Sequence, residues 1–240
     1  MAQEIRAKIG FVTPISILTP HFGSFRPLIP ADVELEFEGL NLMRATIYDL
    51  KGTGEVVLER TAKAVKDRGW NGAIVSGAPV ELLNPGLLDN LRKAVNIPIT
   101  TALDSCVAAL RSYSASRVLL LTPFDEPMNK LIREYLAGRG VEAVSPSENF
   151  QHYTHAQKLS PKEVYNYTKR SFEAVGNVQA LYFQGAVLDP LKIIERIESD
   201  LGLPAVASNP AMLWFILSKL GLSYSIEGYG KLLREWKRLP

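Results

Sequence analysis

Short apolar runs rich in β-branched residues alternate with stretches of helix length along the whole chain, and this alternation constrains the fold more than any other feature. The runs are IGFVTP (9 to 14), AIVSG (73 to 77), IPIT (97 to 100), RVLLLTP (117 to 123), ALYFQG (180 to 185) and PAVAS (204 to 208). They are too short for helices and apolar on both faces, as strands of a covered parallel sheet must be. Helical patterns fill 56 to 69, 85 to 95, 102 to 113, 125 to 138, 161 to 175, 190 to 201 and 209 to 220. The first puts Val57, Ala62 and Val65 in one apolar stripe and stops at Gly69. The alternation predicts an α/β fold with mainly parallel sheets flanked by helices.

Two segments also overlay on each other, one starting at 72 and one at 179. In each, a strand ends in Gly-Ala, a Pro-containing turn opens a helix, and a short strand carrying Pro98 or Pro204 leads to a small polar turn and another helix. A duplication of this kind predicts two pseudo-symmetric lobes with ligand bound in the cleft between them, and it places Gly77 and Gly185 in equivalent positions. The expected lobes are 1–113 with 210–240, and 114–209.

Bulk properties exclude several function classes. The net charge is +2, from 27 basic and 25 acidic residues spread along the chain, so no positive field invites nucleic acid. No window approaches the roughly 20 apolar residues of a membrane span, and MAQEIRAKIGFV carries no signal-peptide core. A single cysteine, Cys106, forbids an intrachain disulfide and a cysteine-based zinc site, and fits a reducing, cytoplasmic setting. Nothing in the sequence opposes a homo-oligomer.

IGFVTP, then NIPITTALDSCVAALRSYSASRVLLLTPFDEPMNKLIREYL, then ALYFQGAVLDPLKIIERIESDLGLPAVASNPAMLWFI with GYGKLL, in that order and spacing, resemble the arylmalonate decarboxylase and maleate isomerase branch of the Asp/Glu racemase superfamily. The resemblance covers nearly the whole chain. It implies a cofactor-free enzyme acting on a small carboxylic acid, with no metal. Racemases of the superfamily use two facing cysteines. Maleate isomerases use one as nucleophile and one as acid, and arylmalonate decarboxylases keep only the second, as proton donor. Here the two positions fall on Gly77 and Gly185, which supply neither sulfur nor proton. The hydroxyl-bearing pair that helps bind carboxylate in the decarboxylase falls on Ala78 and Pro79, and the tyrosine from the other lobe falls on Phe124.

What remains is main chain and a few side chains. The N–H groups of Ala78 and Ala186, expected at turns that open helices, are candidate oxyanion donors. Ser76 and Gln184 precede the two glycines and are candidate hydrogen-bonding groups. Thr13, Ser16, Thr100, Thr101 and Thr122 follow strands, where hydroxyls cap helices or bind carboxylate, and Ser208 and Asn209 read as caps. His21 and Glu81 are the candidate titrating groups for general acid and base work. His152 and His155 have metal-ligand spacing, but without a third ligand nearby they read as surface loop. Decarboxylation or lyase chemistry fits this set better than racemisation, because racemisation needs acid and base on both faces while a lyase needs one proton donor or a trapped water. The rival reading is a small-carboxylate-binding protein that has lost catalysis.

Overall fold

The computed structural model describes residues 4–16, 23, 25–148 and 150–240. Two compact units emerge, Met1–Asp104 with Phe215–Ser223 and Ser105–Trp214 with Tyr224–Pro240. Each is built on one four-stranded, fully parallel sheet.

In the first unit the strands are β1 (Ala7–Thr13), β2 (Val33–Gly39), β3 (Gly72–Val75) and β4 (Ile99–Thr101), in the order β2-β1-β3-β4. The helices are α1 (Gly54–Arg68), α2 (Ala78–Leu82), α3 (Leu87–Ala94) and the start of α4 (Ala102–Ser112). Val12, Ala73, Val75 and Ile99 face one side of the sheet and pack on Val57 and Ala64 of α1 and Leu87 and Leu91 of α3. This burial is the main force holding the helices down. As the sequence predicts, α1 ends at Gly69, which takes a left-handed φ of 63° and donates its N–H to Val65 O.

The sequence reading missed β2. Its VELEFEG pattern alternates because it is an edge strand with one wet face. Glu36 and Glu38 on that edge meet Lys8, Arg60, Arg68 and the Trp70 indole N–H.

The second unit repeats the plan. Strands β5 (Arg117–Leu121), β6 (Glu142–Val144), β7 (Ala180–Phe183) and β8 (Ala205–Ala207) run in the order β6-β5-β7-β8. Its helices are α5 (Glu126–Ala137), α6 (Tyr153–Gln157), α7 (Pro161–Val175), α8 (Ile194–Leu201), the start of α9 (Ser208–Lys219) and α10 (Lys231–Glu235). Asp125 caps α5 by accepting the Met128 N–H, and a Ser160/Glu163 capping box opens α7. Leu119, Leu121, Leu181 and Phe183 pack on Val164 and Tyr167 of α7 and Ile194 and Ile197 of α8.

The C-terminal segment is tied to α8 by a buried carboxylate. Glu198 accepts the Ala205 N–H and the Lys231 N–H, both at 2.8 Å, and burial pushes its carboxyl above its ordinary value. Among the described residues no helix is long and apolar enough to cross a membrane, and no group of three His, Cys, Asp or Glu side chains is placed to hold a metal ion.

Candidate active site at the sheet tips

In an open parallel sheet, ligands bind outside the carboxyl ends of the strands where the winding direction reverses. With these strand orders, the reversal lies between β1 and β3 in the first unit and between β5 and β7 in the second. Gly77 follows β3 and Gly185 follows β7, so both family positions sit at a switch point.

The first tip is roomy. The Ser76 N–H donates to Val12 O at 2.9 Å, carrying the ladder one residue past β3, and the chain then turns through Gly77 at φ 93°, ψ 108°. A Cβ on Gly77 would lie 3.5 Å from Pro14 Cγ and 3.6 Å from Val80 Cγ2, which are ordinary contacts. Ala78 is the first residue of α2, and Pro79 supplies no donor. The carboxylate of Glu81, one turn on and buried, accepts the Thr101 hydroxyl at 2.5 Å. The same Thr101 oxygen accepts the Asp104 N–H at 3.2 Å, capping α4.

The second tip is tight. The Gln184 N–H donates to Leu121 O at 2.9 Å, and Gly185 follows at φ 103°. A Cβ there would come within 2.9 Å of Pro123 Cδ and 3.3 Å of Phe124 Cζ. The chain then differs from its expected course. The sequence predicts a helix from 190, but α8 starts at Ile194, because Asp189 Oδ1 accepts the Leu191 N–H at 2.9 Å and the Ile193 N–H closes a turn onto Pro190 O. Ala186 therefore lies in a turn rather than at the mouth of a helix, so the helix-terminus argument for its N–H applies at most to Ala78. Among the described residues the N–H groups of Gly77, Ala78, Gly185 and Ala186 have no acceptor.

The remaining candidates divide clearly. Gln184 is buried, with its side-chain oxygen held by the Tyr182 hydroxyl two residues back on the same face of the strand. Ser76 is buried at the first tip. The Thr122 hydroxyl is used inside its own loop: it donates to Asn129 Oδ1 and accepts the Phe124 N–H at 3.1 Å, while Asn129 Nδ2 donates to Phe124 O. Among the described residues the hydroxyl of Thr13, buried at the end of β1, makes only a long 3.5 Å contact from the Ile15 N–H, and Ser16 is half-buried just beyond. Phe124 is buried against Gly185. Cys106 is fully buried on α4. His152 caps α6 through Nδ1, beside His155. His21 lies outside the described residues.

Sequence reasoning missed one element of the repeat. Thr13-Pro14 at the end of β1 and Thr122-Pro123 after β5 are the same dipeptide, and each proline lies against the glycine of the neighbouring strand end. The signal is present in IGFVTP and LLLTPF, which lie outside the two segments that start at 72 and 179.

A family model described as arylmalonate decarboxylase matches residues 26–233. The arylmalonate decarboxylase of Bordetella bronchiseptica is 26% identical over 251 residues, covering 98% of this chain and 100% of that protein. The maleate isomerase of Alcaligenes faecalis is 23% identical over 145 residues, 58% of this chain and 55% of the isomerase, so that match spans about half of the relative's length. A crystal structure of arylmalonate decarboxylase superposes with a TM-score of 0.80 at 24% identity, over 95% of this chain and 99% of the other. The maleate isomerase Iso from Pseudomonas putida S16 does so with 0.77 at 17% identity, over 96% and 99%. At these identities the structural likeness is one of fold.

Proposed function

Because the chain belongs to the arylmalonate decarboxylase family, we propose that it acts on a small carboxylic acid, by decarboxylation or a related lyase or isomerase reaction that uses no cysteine and no metal or organic cofactor. The observation that carries this reading is the pair of switch-point glycines, each held at positive φ and followed by a backbone N–H that has no acceptor among the described residues. Such groups stabilise the negative charge that develops on a carboxylate oxygen when carbon dioxide leaves. Neither glycine brings an acid or base of its own. The carboxylates closest along the chain are Glu81 after Gly77 and Asp189 after Gly185.

The test is to incubate the purified protein with a panel of malonates, maleate and related acids, following carbon dioxide release and solvent deuterium incorporation by NMR. One deuterium incorporated per carbon dioxide released is expected for at least one malonate. The absence of thiol at both tips favours one rival, a binding protein without turnover. Ligand-dependent thermal shifts with no release and no exchange on any acid would decide for it.

A further inference from the structure

The two units treat one corner of their sheets differently. In register, β3 and β4 match β7 and β8, so Thr101 at the end of β4 corresponds to Ala207 at the end of β8. Glu81 corresponds likewise to Asp189, four residues past its tip glycine. In the first unit Glu81 and Thr101 close on each other through a hydrogen bond across the corner. In the second unit both partners are shortened, Glu to Asp and Thr to Ala, and the corner is hollow.

The hollow is lined by Gly185, Ala186, Asp189, Ala207, Ser208 and Asn209 among others; it is half open, and its inner space is on the scale of one water molecule. Ser208 and Asn209 are 5% and 7% exposed, and their side chains make no hydrogen bond among the described residues; their polar atoms keep a small opening to solvent and are not sealed in. They do not cap α9, contrary to the sequence reading. They are its first two residues, Ala207 holds the cap position, and Pro210 stands where the N–H that Thr101 accepts in α4 would be. Polar atoms without a protein partner take water where it reaches them. A hydroxyl, a carboxamide and a carboxylate around one small space match a water that donates twice and accepts once. A carboxylate of the ligand fits worse, because it would face Asp189.

We propose that this hollow holds one water, positioned by Asp189, Ser208 and Asn209 beside Gly185, and that this water delivers the proton at the second tip. The proposal rests on the decarboxylase reading. Loss of carbon dioxide leaves an electron pair on the α-carbon, delocalised into the remaining carboxylate. One O–H bond of the water breaks as its proton forms the new C–H bond, and the hydroxide combines with the released carbon dioxide to give bicarbonate. Water is acid enough for this, because a carbanion α to a carboxylate is a far stronger base than hydroxide. Asp189, Ser208 and Asn209 are positioning residues in this scheme.

The first test is a crystal structure of the whole chain, resolved well enough to show ordered water. One water within hydrogen-bonding distance of Asp189, Ser208 and Asn209 is expected, and an empty hollow would overturn the proposal. The second test is the double variant Asp189→Glu/Ala207→Thr, which copies the closed corner of the first unit. It should lack the water and lower kcat at least 100-fold on any malonate the protein decarboxylates, with KM within threefold of the parent and the solvent deuterium isotope effect altered. Ser208→Ala should lower kcat about 10-fold, and Ser208→Thr should restore most of it. A folded double variant without the water that turns over at the parent rate sinks the proposal while leaving the decarboxylase reading intact. A parent protein that shows the water but releases no carbon dioxide from any acid sinks the decarboxylase reading, and the proton-delivery role with it.

Discussion

The tip of the first sheet has space and a closed corner; the tip of the second has a crowded glycine and an open corner. At Gly77 a side chain meets only ordinary contacts, and Glu81 and Thr101 seal the ground behind it. At Gly185 a side chain collides with Pro123, and the ground behind is the hollow under Asp189. One strand plan, used twice, has thus been worked into two environments. The lesson is that equivalent positions in a repeat are not interchangeable: what a residue can do there depends on what its neighbours on other strands have given up.

Substituting the glycines should expose the contrast most strongly. Gly185→Cys combines positive-φ strain with a clash against a proline ring, for an expected loss of about 2–5 kcal/mol. Gly77→Cys carries the strain alone, about 1–2 kcal/mol. Urea denaturation measures both, and equal losses would show that the tips are alike after all. In the folded Gly77→Cys protein the new thiol should react with a disulfide reagent well before the buried Cys106 does.

The threonines before the two prolines sharpen the same comparison. Thr122→Val strips a partner from buried Asn129 and from the Phe124 N–H, costing about 1–3 kcal/mol. Thr13→Val removes a single long contact among the described residues and should stay within about 0.5 kcal/mol of the parent. Denaturant midpoints that shift equally would mean that Asn129 does not clamp the second loop.

A smaller effect is expected at the closed corner. Thr101→Ala copies the residue found in the second unit but leaves the Asp104 N–H uncapped and Glu81 without its hydroxyl donor, for a loss of about 1–2 kcal/mol. The reciprocal Ala207→Thr finds no such N–H, since Pro210 has none, and should gain nothing from capping.

The smallest difference is one of pH. In the first unit Glu36 is held below its ordinary value of 4.5, by Lys8 first and then Trp70. Its stabilisation is present above pH 4.5 and is lost as pH falls through its lower folded value. In the second unit burial holds Glu198 above 4.5, against the pull of the two backbone N–H groups it accepts. Its ionised form therefore costs stability as pH rises from 4.5 through the raised folded value, and the cost disappears below that window. Denaturation midpoints across pH 3 to 7 should show Glu36→Gln flattening the acid end of the profile and Glu198→Gln flattening the slope above 4.5. A Glu198→Gln profile parallel to the parent's would contradict the second assignment.

Much of the frame was legible because it is a matter of local pattern. Doubly covered strands read as unbroken apolar runs, and all six runs named from the sequence are strands of the two sheets. The edge strands β2 and β6 were overlooked because a search for buried runs passes over the alternating VELEFEG and the three-residue Glu142–Val144. Gly77 and Gly185 stood out as abrupt ends to apolar runs, and both take the positive φ that glycine permits. Thr122 shows where legibility stopped. Nothing in LLLTPF announces that its hydroxyl is taken by Asn129, seven residues on across the first turn of a helix.

By itself, then, the order of residues determined the parallel sheets, the duplication and the two thiol-free turns, since each follows from spacing along one strand or helix. Only the tertiary structure decided that Glu81 meets Thr101 while Asp189 turns back onto the Leu191 N–H and leaves Ala207 without it. The first meeting spans twenty residues of chain and turns on the reach of a single methylene and a single hydroxyl across adjacent strand ends. Register and packing, not periodicity, set distances of that size.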